Sequence, residues 1–252
     1  MSLTADSGLS CTLREAANFE GRRGDGAIDM LVLHYTGMVS GEAALEQLCA
    51  AESGVSCHYL VFEDGCIVQM VAEQDRAWHA GVSYWRGETD INSRSIGIEI
   101  VNPGHEFGYR AFPDAQIGAV VDLCRDIVGR NPIAPRNIVA HSDIAPDRKQ
   151  DPGELFPWDR LYRAGVGHWV APEPFETGGL ALEQGDAGAQ VAALQAGLVT
   201  YGYGVSESGA FDPATVQAVT AFQRHFRQAR VDGVADASTV ATLRRLIATL
   251  DA

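Results

Sequence analysis

The stretch Ile138-Val139-Ala140-His141-Ser142-Asp143-Ile144-Ala145-Pro146-Asp147-Arg148-Lys149-Gln150-Asp151-Pro152-Gly153 decides the reading of this chain. A short apolar run from Asn137 to Ala140 has the look of a buried strand and ends on a histidine. The two prolines then fix the path of a polar loop. His141 and Asp151 are ligand types that Zn²⁺ accepts. Asp151 lies ten positions beyond His141, too far for one helix face, so the loop must fold back to bring both to one ion. Lys149, between them, can place a positive charge beside whatever that ion binds. The plainer alternative is a loop with a capping aspartate and a surface lysine.

Two further stretches shift that balance. Met30-Leu31-Val32-Leu33-His34-Tyr35-Thr36-Gly37 is again an apolar run that ends on a histidine, before a turn of small residues. In Ser95-Ile96-Gly97-Ile98-Glu99-Ile100-Val101-Asn102 a carboxylate sits inside an apolar strand, where it needs a partner or a task. Two strand-end histidines, one loop aspartate and one in-strand glutamate suit a catalytic zinc site. Such a site has three protein ligands, an open fourth position and a separate acid/base.

Five segments then occur in a familiar order: Leu33 to Thr36, Val55 to Val61, Ala77 to Gly81, Ser95 to Ile100 and His141 to Gly153. Together they span roughly residues 25 to 165. This part of the chain resembles the type-2 N-acetylmuramoyl-L-alanine amidases, whose fold is shared with peptidoglycan recognition proteins and phage T7 lysozyme. The likeness is greatest to the two-domain anhydro-muropeptide amidases of Gram-negative bacteria. The resemblance implies a mixed central sheet flanked by helices, an α/β or α+β class. It implies one Zn²⁺ per chain on His34, His141 and Asp151, with Glu99 as acid/base and Lys149 as the charge that stabilises the reacting oxygen. It implies peptidoglycan or a muropeptide as substrate, cut between muramic acid and L-alanine, and it places Tyr35, Trp78 and His79 near the cleft.

Other residues of the loop region are weighed by type. Trp78 and Trp85 offer flat apolar faces to a sugar or peptide, or pack locally around a long loop. Asn92 and Arg94 can bind a substrate carboxylate, Arg94 through two parallel hydrogen bonds, or stay at the surface. His58 is the rival metal ligand, but the alternation around it reads as a strand face. His105 reads as a solvated loop histidine.

The 252 residues carry a net charge of −14, which excludes the basic footprint of a nucleic-acid binder and any simple attraction to anionic membrane. No apolar run approaches the roughly 20 residues of a membrane span. Residues 1–13 show no leader pattern, so the expected location is cytoplasmic as written, or periplasmic or in the cell envelope if a leader has been removed. The five cysteines are odd in number and read as small buried hydrophobes; Cys57 and Cys66 flank the Asp64-Gly65 turn signal and could face each other across a hairpin. A strand is expected over 27–34, a helix over 41–51, hairpin strands over 56–62 and 66–71, and a helix over 113–130.

A proline- and glycine-rich stretch at 171–179 reads as a linker between a catalytic domain at 1–170 and a small domain at 180–252. The latter shows three helical patterns, the second opened by Asp212-Pro213 and the third near Asp236. Gly209 to Asp212, Ala221 to Gln223 and Val231 to Gly233 resemble the three-helix peptidoglycan-binding module; the alternative is a helical appendage packed on the first domain. Two other functions stay open: a non-catalytic peptidoglycan binder, and a metallopeptidase acting on the stem peptide.

Overall fold

The computed structural model describes residues 3–175, 179 and 181–250. Its six-stranded sheet runs in the order β1 (Thr12–Leu13), β5 (Ile67–Gln69), β4 (Tyr59–Val61), β7 (Ser95–Ile100), β3 (Met30–Tyr35), β8 (Ile138–Ala140). Strands β4, β7, β3 and β8 are mutually parallel neighbours, whereas β4 and β5 form the antiparallel hairpin at Asp64-Gly65. A two-stranded ribbon, β2 (Phe19–Gly21) with β6 (Asp75–Ala77), lies apart. The sheet is mixed, with helices packed on it, as expected.

Alternation gives the sheet two different faces. Leu31 and Leu33 of β3, Ile96, Ile98 and Ile100 of β7, and Ile138 and Ala140 of β8 share one apolar cluster with helix α4 (Asp114–Arg130). Ile117, Val120, Leu123, Cys124 and Ile127 of that helix supply the facing stripe, with Val121 and Val128 packed at its edge. The opposite face carries Met30, Val32 and Val139 below, and His34 and Glu99 above.

That second face is where the three C-terminal helices pack. They are α7 (Ala189–Tyr201), α8 (Pro213–Phe226) and α9 (Ala237–Ala248), the last two opened by Asp212 and Asp236, each accepting a backbone N–H at its N-cap. Leu194, Leu198, Tyr201, Phe222 and Phe226 join Met30, Val32, Trp85 and Val139 in one continuous buried cluster. Residues 176–178 and 180, at the junction read as a linker, lie outside the described residues.

Three local expectations change. Trp85 is a core residue, 1 % exposed and edge-on to Tyr201 and Tyr203, not a cleft wall. Cys57 and Cys66 are free thiols, one buried and one exposed. The β4–β5 register pairs Val61 with Ile67 and Tyr59 with Gln69, which puts the two cysteines at opposite ends of the hairpin. The first long strand starts at Met30 because Asp29 turns aside to pair with Arg94.

A shared core predicts shared unfolding. All four tryptophans, Trp78, Trp85, Trp158 and Trp169, precede the C-terminal helices, and Trp85 and Trp158 touch them, so fluorescence reports on the sheet half and on its seam with the helices. Phe222→Ala, deep in the helical half, should cost about 3–5 kcal/mol and move the tryptophan and far-ultraviolet transitions together in urea. A tryptophan transition left at its wild-type midpoint would show that the halves unfold independently.

Candidate active site

The register places the chemistry. His34 pairs with Glu99 across β3 and β7, and Leu33 pairs with Ala140 across β3 and β8. His141 follows Ala140 as the first residue of the short helix α5 (His141–Ile144). Glu99, His34 and His141 therefore form a row at the carboxyl ends of three adjacent parallel strands, the edge where open α/β sheets carry their sites. The loop after α5 folds back, and Ser142 N–H donates to the Asp151 carbonyl at 3.0 Å.

Three buried acceptors converge there. His34 Nδ1 lies 2.8 Å from His141 Nδ1 and 3.1 Å from Asp151 Oδ2, and His141 Nδ1 lies 3.0 Å from the same oxygen. The surrounding hydrogen bonds assign the protons. Ser95 Oγ–H donates to the Ile91 carbonyl at 2.7 Å and so accepts from His79 Nε2–H at 3.1 Å. His79 Nδ1 is then left to accept from His34 Nε2–H at 3.0 Å. His141 Nε2–H donates to the Ala80 carbonyl at 3.1 Å. Both Nδ1 atoms thus turn lone pairs toward a carboxylate. One proton could serve only one of these pairs; a metal ion serves all three. Zinc, with bonds of about 2.0–2.2 Å to such donors, fits the donor set and its spacing. Among the described residues this is the group of histidine, cysteine and carboxylate side chains able to hold a metal.

The electrostatics agree. Burial first, then His141, pushes His34 down to about 4, which keeps its ring neutral. Glu99 goes the other way: burial, then Asp151, pushes it well above the ordinary value, with Lys149 opposing. Its Oε2 is shielded from solvent and has no hydrogen-bond partner among the described residues.

These groups open into a cleft of about 410 Å³ whose walls include Tyr35, Trp78, His79, Glu99, His105, His141, Lys149 and Asp151. His79 borders the cleft, but both its ring nitrogens are engaged, so it orients His34. Asn92 and Arg94 stand outside this lining. Asn92 Oδ1 accepts from His79 N–H and Ala80 N–H and so holds the Trp78–Ala80 segment. Arg94 precedes β7 at its far end, roughly 16 Å from Glu99 at about 3.3 Å per residue, and pairs with Asp29 and Glu88. His58 is buried beside the group, accepting from Gly97 N–H at 3.0 Å, and is structural. His105 is exposed, as read, but it is held in place: it stacks on Tyr109 with centroids 4.3 Å apart, bonds Tyr35 Oη at 2.9 Å and faces Glu154. Gly97 has a task too, since a Cβ there would lie 2.6 Å from the His79 ring.

Buried acceptors able to hold a cation, beside an unpartnered carboxylate and a lysine in an open cleft, fit a metal-dependent hydrolase. The comparisons with known proteins narrow the class. The N-acetylmuramoyl-L-alanine amidase profile matches residues 24–154, and a peptidoglycan binding domain profile matches residues 187–243. The amidase AmiD of Escherichia coli is 40% identical over 233 residues, covering 87% of this chain and 82% of its own. The 1,6-anhydro-N-acetylmuramyl-L-alanine amidase AmpD of the same organism is 39% identical over 127 residues, half of this chain. Among solved structures, AmiD in complex with anhydro-N-acetylmuramic acid-L-Ala-D-gamma-Glu-L-Lys superposes with a TM-score of 0.76 at 38% identity, covering 91% of this chain and 93% of that one. AmpDh3 of Pseudomonas aeruginosa superposes with a TM-score of 0.74 at 31% identity over the whole of both chains. The chain belongs to the N-acetylmuramoyl-L-alanine amidase family, which is zinc-dependent. Among the described residues no helix is long and apolar enough to cross a membrane.

The buried state of Glu99 has a consequence for stability. A carboxyl whose pKa is raised on folding is harder to ionise in the folded protein than in the unfolded chain. It therefore lowers stability as pH rises above the unfolded value of about 4.3. In the zinc-free protein, Glu99→Gln should raise the thermal midpoint at pH 7, and the gain should vanish below about pH 4. Equal midpoints at pH 7 would contradict this account of Glu99.

Proposed function

We propose that this protein hydrolyses the amide between the lactyl carbonyl of N-acetylmuramic acid, or its 1,6-anhydro form, and the L-alanine of the stem peptide, with one zinc ion per chain. The observation that carries the reading is the convergence of His34 Nδ1, His141 Nδ1 and Asp151 Oδ2 beside Glu99 in an open cleft. The substrate class follows from the family and from the anhydro-muropeptide in the AmiD complex.

His34, His141 and Asp151 would hold the ion. When bound, zinc supplies Lewis acidity for the scissile carbonyl and makes a water nucleophilic near neutral pH. The chain's own groups do the rest. Glu99, whose pKa burial raises above the ordinary carboxyl value, takes the proton of the attacking water and later gives one to the leaving amine of L-alanine. The Lys149 ammonium opposes the negative charge that develops on the carbonyl oxygen. Trp78 contributes its ring to the cleft wall, with its Nε1–H shielded from solvent. Tyr35 also lines the cleft, held by its bond to His105.

Two measurements test this. Incubation with anhydro-muropeptides and with intact murein, followed by mass spectrometry, should release intact stem peptide; a chelator should abolish release and added zinc restore it. Shortened peptides would point to a metallopeptidase, and no release from either substrate by zinc-loaded protein would point to a binding protein. Glu99→Ala should retain zinc and lose about 10²–10⁴-fold in kcat, while Lys149→Met should lose about 10²–10³-fold. Full turnover by zinc-loaded Glu99→Ala would remove the role given to Glu99.

A further inference from the structure

The C-terminal helices hold the chain segment that carries two of the three converging acceptors. Asp143, fully buried in α5, accepts three hydrogen bonds. One comes from Ala140 N–H at 2.8 Å, next to His141. The other two come from the C-terminal half: Tyr203 Oη–H at 2.7 Å to Oδ1, and His225 Nδ1–H at 2.7 Å to Oδ2. The His225 ring is itself fixed, stacked on Trp158 at 3.7 Å and on Phe226 at 3.9 Å. The same end of α8 follows the loop onward. Arg224 Nη2–H donates to Gln150 Oε1 at 3.2 Å, and Gln228 Nε2–H donates to the Phe156 carbonyl at 2.7 Å.

Helix α5 is four residues long. A single turn has no stability of its own, because nucleation fixes more torsions than its one or two hydrogen bonds offset. Its orientation must come from its anchors. His141, Ser142 and Ile144 are tied to Ala80, Asp151 and Tyr84, and Asp143 is the anchor that reaches the C-terminal half; a buried carboxylate stays in place only while its donors do. Without them it would rotate or admit water, and the Ala140–His141 peptide would follow. Asp151 would move as well, through its carbonyl bond to Ser142 N–H.

We propose that Tyr203 and His225 are positioning residues of the metal centre, and that the C-terminal helices form a structural wall of that centre. The proposal rests on the metal reading of His34, His141 and Asp151, and not on the amidase reaction. Tyr203 and His225 act through Asp143 on the spacing between His141 and the other two acceptors. Removing supports of this kind weakens metal binding by about 10–100-fold in well-studied sites.

The test is the zinc dissociation constant of the full chain, measured by competition with a chromophoric chelator and without substrate. Tyr203→Phe removes only a hydroxyl. His225→Phe keeps a ring between Trp158 and Phe226 and removes the donor. Each variant should bind zinc about tenfold more weakly, and the double variant up to about a hundredfold more weakly, with far-ultraviolet ellipticity retained. Gln195→Met is the comparison. It breaks bonds to Gly209, Ala210 and Thr215 inside the helical half without touching the loop, so it should lower the unfolding midpoint and leave zinc affinity unchanged. Wild-type affinity in Tyr203→Phe and in the double variant would overturn the proposal, as would an equal loss in Gln195→Met. If the double variant does not fold, the single hydroxyl deletion decides alone. A wild-type chain that binds no zinc would overturn the metal reading itself, whereas zinc binding without muropeptide cleavage would leave this proposal standing and remove the proposed reaction.

Discussion

Three lone-pair donors held about 3 Å apart with no proton to share are a repulsive arrangement, and much of the surrounding structure is needed to maintain it. His34 and His141 stand side by side because β3 lies between β7 and β8 in parallel register. Their tautomers are set from behind, His34 through His79, Ser95 and the Ile91 carbonyl, His141 through the Ala80 carbonyl. Asn92 holds the backbone of His79 and Ala80, so one amide side chain supports both chains of bonds. Gly97 leaves the space on β7 that the His79 ring occupies. Ile91, Asn92, Ser95 and Gly97 stand outside the cleft lining, yet with His79 they help turn two nitrogens and an oxygen toward one point.

The sheet accommodates this by dividing its labour between faces. The α4 side is apolar along its length and provides cohesion. The other side changes character along each strand, from Met30 and Val32 to His34, and from Ser95 through Gly97 to Glu99. The polar end is open as a cleft and the apolar end is covered by the C-terminal helices. The shielded carboxyl of Glu99 is tolerated at the boundary, where neighbouring Lys149 partly offsets its burial. A carboxyl held in that state is a poor contributor to stability and, once ionised, a stronger base than a solvated one, which is the usual exchange of stability for activity.

The parts of this arrangement that follow chain period were legible in the sequence. Apolar runs ending on His34 and His141, and a lone glutamate within the run at Ser95–Ile100, are strand signals that carry their functional residues in the same pattern. What escaped depends on contacts between distant segments. His105 looks like a loop residue, and only the fold places it against Tyr35, Tyr109 and Glu154. Arg94 lies five residues from Glu99, but an extended strand carries that separation to the opposite edge of the sheet. Trp85 has the same aromatic signature as Trp78, and the difference is that Tyr201 and Tyr203 cover it from the far end of the chain. Cys57 and Cys66 flank a correctly read turn, yet register sets them apart.

The proline- and glycine-rich composition of 171–179 suggests a tether, and a tethered module works by raising the local concentration of its partner domain. The packing argues for a different relation. Leu194, Leu198, Phe222 and Phe226 share their core with Met30, Val32 and Val139, so the helices sit in fixed orientation to the sheet. The inward end of α8 is committed to the loop between His141 and Phe156. The groove between α7 and α9, lined by Leu182, Ala193, Leu194, Gly197, Val240 and Leu243, belongs to another face of the same bundle. A ligand held on these helices would therefore lie at a set offset from the cleft, and its gain would come from register with the site rather than from reach. In such an arrangement the covering of the sheet, the support of the metal loop and the presentation of an outer surface are carried by different faces of three short helices.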